Sequence, residues 1–134
     1  MNAFELSGID HVAISVRDVR TSADWYQRVL GLKRVHQDAW GDFPAVVGIG
    51  STAIALFPVG TDTVHRPQQR GTLTMRHIAF RADARNFRSA QSELAKQRIS
   101  FTFQDHGISH SIYFSDPDGH EIEITTYELT ETTL

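Results

Sequence analysis

The sequence contains no cysteine, and this absence removes several kinds of chemistry. Without a thiol, the chain cannot form a disulfide bond, a thiolate metal site or a cysteine nucleophile. It also has no apolar run approaching the roughly 20 residues that a membrane-spanning helix needs. The first residues do not form a charged segment followed by an apolar segment, which is the order found in a signal peptide. These features predict a cytoplasmic protein that does not enter a membrane.

Positive charge is neither abundant nor clustered in this chain. Thirteen Lys and Arg residues against sixteen Asp and Glu residues give a net charge of -3, and no basic run is present. Because proteins bind phosphate backbones through clustered Lys and Arg, we do not expect nucleic acid as a partner. Hydrophobic residues make up 40% of the 134 residues and charged residues 22%, which is typical of a chain that folds around a core.

Two parts of the sequence repeat one order of predicted elements. In the first part, a helix capped by Asp18 and ended by Gly31 has strands before and after it, at 9–16, 32–39, 43–49 and 52–57. In the second part, a helix capped by Asp83 has strands at 75–82, 100–104, 111–114 and 121–126. The pattern predicts a single α+β domain over 1–134. It consists of two βαβββ modules, about 8–58 and 74–128, which form a cup-shaped, partly open mixed sheet.

Alternation along the strands separates an apolar face from a small and polar one. Residues two apart in a strand share a face, so His11 and His77 lie opposite the apolar residues of the first strand in each module. In the last strand, Glu123 lies opposite Ile122 and Ile124. If helices cover the apolar face, the polar face would line a cup suited to a small ligand.

Two imidazoles and one carboxylate on that face have the composition of a 2-His-1-carboxylate metal site. Such a site holds Fe(II), Mn(II), Ni(II) or Zn(II) and leaves coordination positions open for substrate. A single strand His is more often an ordinary polar residue. Two His in matching positions, together with a Glu as the third residue, favour a metal site over this ordinary role. We therefore predict one divalent ion per site, held by His11, His77 and Glu123.

Three short motifs resemble those of the vicinal oxygen chelate superfamily. They are D-H-V-A-I at 10–14, R-H-I-A-F at 76–80 and D-P-D-G-H-E-I-E-I at 116–124, and the resemblance extends over about 8–128. The superfamily includes glyoxalase I, extradiol dioxygenases, fosfomycin-resistance proteins, methylmalonyl-CoA epimerase and bleomycin-binding proteins. The resemblance implies the paired fold, the same three metal ligands, a small-molecule substrate and a homodimer. Whether one chain or two build each site is left open.

This sequence differs from two members of the superfamily at positions that their activities need. Glyoxalase I takes a fourth ligand from a position that is Ala55 here, and Ala cannot bind a metal. The stretch S-I-Y-F-S-D-P-D-G-H at 111–120 is similar to fosfomycin-modifying enzymes. However, Ala13 stands where those enzymes have Thr, and 124–134 contains no Lys or Arg. A phosphonate would therefore lack charged partners there, and we do not expect fosfomycin as substrate.

The segment H-G-I-S at 106–109 resembles the catechol 2,3-dioxygenase branch, since it leads into Tyr113 and D-P-D-G. This resemblance makes extradiol ring cleavage with Fe(II) the leading expectation. His106 and Tyr113 would be catalytic and stabilise charge on the substrate oxygens. His65 and Trp40 are expected to bind substrate. Extradiol enzymes commonly have four modules rather than two, which counts against ring cleavage.

Two other kinds of activity stay open. One is a glyoxalase-type lyase or isomerase, or a thiol transferase, that uses the same metal ligands. The other is a non-catalytic small-molecule binding and resistance protein, similar to the bleomycin-binding proteins, which use the cup without a metal. The predicted metal ligands favour an enzyme over a binding protein.

Overall fold

The computed structural model describes residues 3–60 and 74–129. The chain divides into two compact units, Met1–Arg66 and Pro67–Leu134. His65, which we predicted to bind substrate, lies outside the described residues.

The first unit contains a four-stranded mixed sheet with a helix packed on it. Its elements in chain order are β1 (Val12–Val16), α1 (Val19–Leu30), β2 (Lys33–Val35), α2 (Gln37–Trp40), β3 (Ala45–Ile49) and β4 (Thr52–Pro58). The strand order in the sheet is β1-β4-β3-β2. Strands β1 and β4 are parallel, and the other neighbours are antiparallel. Helix α1 packs against β3 and β4.

The second unit repeats this arrangement. Its elements are β5 (Ile78–Arg81), α3 (Ala84–Lys96), β6 (Thr102–Asp105), β7 (His110–Ser115) and β8 (Glu121–Thr126). The strand order is β5-β8-β7-β6, again with the first pair parallel and the others antiparallel. The structure therefore confirms the α+β class and the repeated βαβββ topology.

The strand register shows which residues of the two units are equivalent. In the first unit, Ala13 of β1 pairs with Ala55 of β4. In the second unit, Ala79 of β5 pairs with Glu123 of β8. The position of Glu123 is therefore occupied by Ala55 in the first unit, and only the second unit has a carboxylate there.

The two long helices begin where the sequence predicted. The Asp18 side chain accepts a hydrogen bond from the Thr21 backbone N–H at 3.0 Å, and Asp83 caps α3 through Asn86 at 2.8 Å. Gly31 ends α1 in the left-handed conformation, with φ of 70°. Among the described residues, no helix is long and apolar enough to cross a membrane.

Apolar side chains fill the space between helix and sheet in each unit. In α1 these include Ala23, Trp25 and Tyr26, and in α3 they are Phe87 and Leu94. Phe87 is fully buried, as are Ile112 of β7 and Ile122 of β8. Burial of these side chains provides the main favourable free energy of folding in each unit.

Several predicted strands are shorter in the structure, and the differences in three of them affect site residues or the turn near Trp40. The strand predicted over 32–39 ends at Val35, and α2 follows it, because His36 has a left-handed φ of 59° that interrupts an extended chain. Strands β1 and β5 begin at Val12 and Ile78, so His11 and His77 immediately precede their strands rather than lie within them. Ile9 and Met75, the apolar residues that suggested earlier starts, are largely exposed.

Candidate functional site

His77 and Glu123 form a close pair in the second unit. The Nε2 atom of His77 lies 2.9 Å from Oε1 of Glu123. Glu123 is only 7% exposed, which is costly for a carboxylate unless other groups compensate its charge. Ala79 is the β5 neighbour of Glu123 and has only a methyl side chain. An imidazole and a buried carboxylate, two kinds of metal ligand, thus lie together next to a small residue.

Ser111 holds the second oxygen of Glu123. The Ser111 hydroxyl donates a hydrogen bond to Glu123 Oε2 at 2.7 Å and also lies 2.9 Å from the Thr125 hydroxyl. Thr125 in turn donates to the backbone oxygen of His110 at 3.3 Å. Ser111 is fully buried, so its hydroxyl fixes the orientation of the carboxylate. We did not predict Ser111 as a site residue, although strand alternation places it on the Glu123 face.

Tyr113 and His106 lie beside the same pair. Tyr113 of β7 is directly opposite Glu123 of β8, and its ring contacts the His77 ring with centroids 5.8 Å apart. The Tyr113 hydroxyl is 2.9 Å from Nε2 of His106. The structure thus brings both predicted catalytic residues together with two of the predicted metal ligands.

Burial raises the pKa of Tyr113, and the negative charge of Glu123 raises it further. The phenol therefore keeps its proton at neutral pH. A protonated phenol next to an imidazole is suited to donating a hydrogen bond to an oxygen atom of a bound molecule.

His11 lies in the first unit, where a carboxylate contacts its ring. Its Nδ1 atom is 2.9 Å from Oδ2 of Asp10, and both side chains are substantially exposed. A hydrogen bond from one ring nitrogen to a carboxylate orients the imidazole so that the other nitrogen can bind a metal. His11 is therefore oriented so that its Nε2 atom could bind a metal ion.

His11 and Trp40 line one cavity of about 990 Å³ in the first unit. Apolar and small side chains from β2, β3 and β4 form most of its wall, including Val35, Val46, Ala53, Ala55 and Phe57. Trp40 is 52% exposed, and its ring contacts the ring of His36 at 5.0 Å. This composition is typical of small-molecule sites. Trp40 therefore forms part of the wall of this cavity, and its role in substrate binding stays a prediction.

A hydrogen-bonded turn holds α2, which carries Trp40. The guanidinium of Arg34 donates to the Gly41 backbone oxygen at 3.0 Å and to Asp42 at 2.8 Å. This guanidinium lowers the pKa of the Asp42 carboxyl below its usual range. We did not predict this pair, because we expected residues 37–39, which belong to α2, to continue a strand.

The donors of the predicted metal site fit a divalent cation. Imidazole nitrogen and carboxylate oxygen are ligands for Fe(II), Mn(II), Ni(II) and Zn(II), and Ser111 and Asp10 orient Glu123 and His11 as neighbours of metal ligands do. In the described part of either unit taken alone, no three His, Cys, Asp or Glu side chains form a metal-binding group. The predicted set takes His11 from one unit and the other two ligands from the second, so the three-ligand centre stays a prediction.

Curated proteins with similar sequences are named metallothiol transferase or glutathione transferase. The metallothiol transferase FosB of Staphylococcus epidermidis is 31% identical over 132 residues, which cover 95% of this chain and 87% of that protein. The glutathione transferase FosA of Serratia marcescens is 26% identical over 119 residues, which cover 89% of this chain and 80% of that protein.

A solved structure and a family model agree with this similarity. Lactoylglutathione lyase from Agrobacterium tumefaciens has the same fold, with a TM-score of 0.71, 21% identity and coverage of 93% of this chain and 97% of that one. The family model described as Glyoxalase/Bleomycin resistance protein/Dioxygenase superfamily matches residues 8–124. On this match, which spans most of the sequence, the chain belongs to the Glyoxalase/Bleomycin resistance protein/Dioxygenase superfamily.

Proposed function

We propose that this protein is a divalent-metal-dependent transferase. It joins a small thiol to an electrophilic substrate that binds through adjacent oxygens. The observation that carries the proposal is the His77–Glu123 pair, held by Ser111, in a chain similar over almost its whole length to a metallothiol transferase. This was an alternative to ring cleavage in the sequence analysis, and the similar proteins favour it over the dioxygenase.

The thiol must come from a second substrate, because the chain has no cysteine. In the proposed reaction with an epoxide, a bond forms between the sulfur and a ring carbon, and the carbon–oxygen bond breaks. The oxygen keeps the electron pair of that bond and takes up the proton that the thiol gives up. The single product carries both a thioether and a hydroxyl group, and no oxidant or reductant is consumed.

The predicted metal ligands, together with Tyr113 and His106, are suited to supporting this reaction. A divalent ion held by His11, His77 and Glu123 would supply Lewis-acid stabilisation of the substrate oxygens. The protonated Tyr113 would donate a hydrogen bond to the oxygen on which negative charge develops. His106, at 2.9 Å from the phenol, would hold the Tyr113 hydroxyl in place and exchange protons with solvent.

Extradiol ring cleavage is the second candidate. The contact between His106 and Tyr113 favours it, because this pair would also stabilise charge on the oxygen atoms of a bound catechol. The two reactions differ in what they consume, since one removes a thiol and the other removes dioxygen.

The experiment tests both reactions on the same preparations. Full-length protein loaded separately with Mn(II), Fe(II), Ni(II) or Zn(II) is mixed with glutathione or cysteine and an epoxide bearing a phosphonate, a carboxylate or no charge. We expect metal-dependent loss of free thiol and formation of a thioether whose mass is the sum of the masses of the thiol and the epoxide. Neither change should occur in Glu123→Gln. Parallel samples with catechol are followed by oxygen uptake. Oxygen uptake without thiol transfer, or no thiol transfer with any metal, would overturn the proposal.

A matched variant separates loss of the site from loss of a charge. Glu93 is an exposed residue of α3 that contacts Lys96, and Glu93→Gln removes the same charge outside the site. We expect it to transfer thiol at the wild-type rate. The predicted homodimer is checked by sedimentation of the same preparations.

A further inference from the structure

Arg81 lies on the sheet face that carries Glu123. Glu123 pairs with Ala79 in the parallel ladder, and two residues further along Thr125 pairs with Arg81. Ser111 is the partner of Thr125 on the other side of β8. Since directly paired residues point to the same face, Arg81, Thr125 and Ser111 form a row across the sheet. This row is next to the row that contains Glu123.

The Arg81 guanidinium has an aromatic partner and no acidic one among the residues that the structure describes. Its central carbon is 4.9 Å from the centroid of the Tyr127 ring. By contrast, Arg28 lies 3.7 Å from Asp24, and Arg34 lies 2.8 Å from Asp42. A guanidinium stacked on a ring keeps its in-plane N–H donors available. Arg81 therefore offers an uncompensated positive charge with defined orientation beside the candidate metal ligands.

We propose that Arg81 binds an anionic group of the substrate, either a phosphonate or a carboxylate. This inference rests on the proposed function, in which a small substrate binds at Glu123. The segment 124–134 contains no Lys or Arg, which led us to expect no partner for a phosphonate. Arg81 supplies that partner from β5 instead. The planar guanidinium matches two oxygens of such an anion at once.

The side chains next to Arg81 connect its row to Glu123. The side chains of Thr125 and Ser111 lie 2.9 Å apart, and Ser111 reaches Glu123. An anion held by Arg81 would thus be close to the carboxylate that is predicted to bind the metal. Arg81 would select substrates by charge and fix their orientation, while the ion held by the predicted metal ligands would stabilise the reacting oxygens.

Direct binding tests Arg81 without any turnover. Metal-free full-length protein is titrated by calorimetry with methylphosphonate and, separately, with acetate, at low ionic strength. We expect Arg81→Gln to weaken binding of the preferred anion about tenfold or more, and Arg81→Lys to weaken it less, because Lys keeps the charge but loses the two-point contact. Arg85→Gln, an exposed change at the start of α3, is the charge-matched control and should bind like the wild type.

The outcomes of this titration decide the inference. A stronger response to methylphosphonate assigns the site to phosphonates, and a stronger response to acetate assigns it to carboxylates. Equal affinity in the wild type and Arg81→Gln would overturn the inference. Failure of the wild type to bind either anion would also overturn it.

Turnover separates this inference from the proposed function. With one thiol and one metal, we expect Arg81→Gln to raise KM for the anionic epoxide about tenfold, with little change in kcat. The neutral epoxide should be unaffected. An equal loss on both epoxides would overturn the role of Arg81. If the wild type transfers thiol to neither, the proposed function fails while the calorimetric result for Arg81 still stands.

Discussion

The Ser111 hydroxyl donates a 2.7 Å hydrogen bond to Oε2 of Glu123, and both side chains are buried. The other carboxylate oxygen, Oε1, is the one near His77. Ser111 thereby directs one oxygen toward the imidazole and keeps the other occupied. Its contribution to a metal site is to orient a ligand, because it does not contact the predicted ion itself.

We expect Ser111→Ala to weaken metal binding about 10- to 100-fold, as loss of a partner of a metal ligand typically does. It should also lower the free energy of unfolding by about 1–3 kcal/mol, because a buried carboxylate oxygen loses its donor. Competition with a metal-sensitive dye measures the first effect, and urea unfolding measures the second. Ser115→Ala, an exposed change in the same strand, is the control. Unchanged metal affinity in Ser111→Ala would contradict the orienting role.

Tyr113→Phe removes only the hydroxyl that contacts His106. If the phenol stabilises developing charge on a substrate oxygen, kcat should fall about 100-fold or more, while metal affinity stays at the wild-type value. Steady-state thiol transfer together with dye competition separates the two. A variant that keeps wild-type kcat would remove Tyr113 from the catalytic residues. A parallel loss of metal affinity would indicate a structural role instead.

The two tryptophans report on different parts of the first unit. Trp25 is 7% exposed, whereas Trp40 is 52% exposed and lines the cavity. We therefore expect acrylamide to quench mainly the Trp40 emission, so that Trp40→Phe removes most of the quenchable fluorescence and Trp25→Phe leaves it. A substrate in the cavity should reduce quenching in Trp25→Phe. If substrate gives no protection there, Trp40 does not lie at the binding surface.

Local signals were sufficient to predict the helices and the repeated topology. Asp18, Gly31 and Asp83 act within one turn of their own helix, and capping depends on residues close in sequence. The position of Glu123 opposite the apolar residues likewise follows from strand alternation alone. The family match and the repeat of strand order agree with these predictions.

Contacts across strands could not be predicted in the same way. Ser111 and Glu123 are twelve residues apart, and their contact depends on the register of β7 against β8. Arg81 meets Tyr127 only because β5 lies parallel to β8. The short helix α2 depends on the left-handed His36 and on the Arg34 turn, neither of which produces a periodic pattern. The spacing of residues along the chain does not indicate which of them form these contacts.

The pair of Arg34 and Asp42 predicts a pH dependence of stability. Arg34 donates to Asp42 at 2.8 Å and lowers the pKa of its carboxyl in the folded state. A group whose pKa is lower in the folded state stabilises the fold when it is ionised. Its contribution is therefore fully present above the ordinary value of 3.8 and is lost as the pH falls through the folded value. Asp42→Asn removes this contribution at every pH.

We therefore expect the urea midpoint of the wild type to exceed that of Asp42→Asn at neutral pH, with the difference shrinking in acid below the ordinary aspartate range. Asp38→Asn, in α2 itself, controls for the loss of one negative charge. Because the same pair closes the turn after Trp40, Asp42→Asn should also alter acrylamide quenching of Trp40 at neutral pH. A midpoint difference that stays constant from neutral to acidic pH would contradict the assignment of this pH dependence to Asp42.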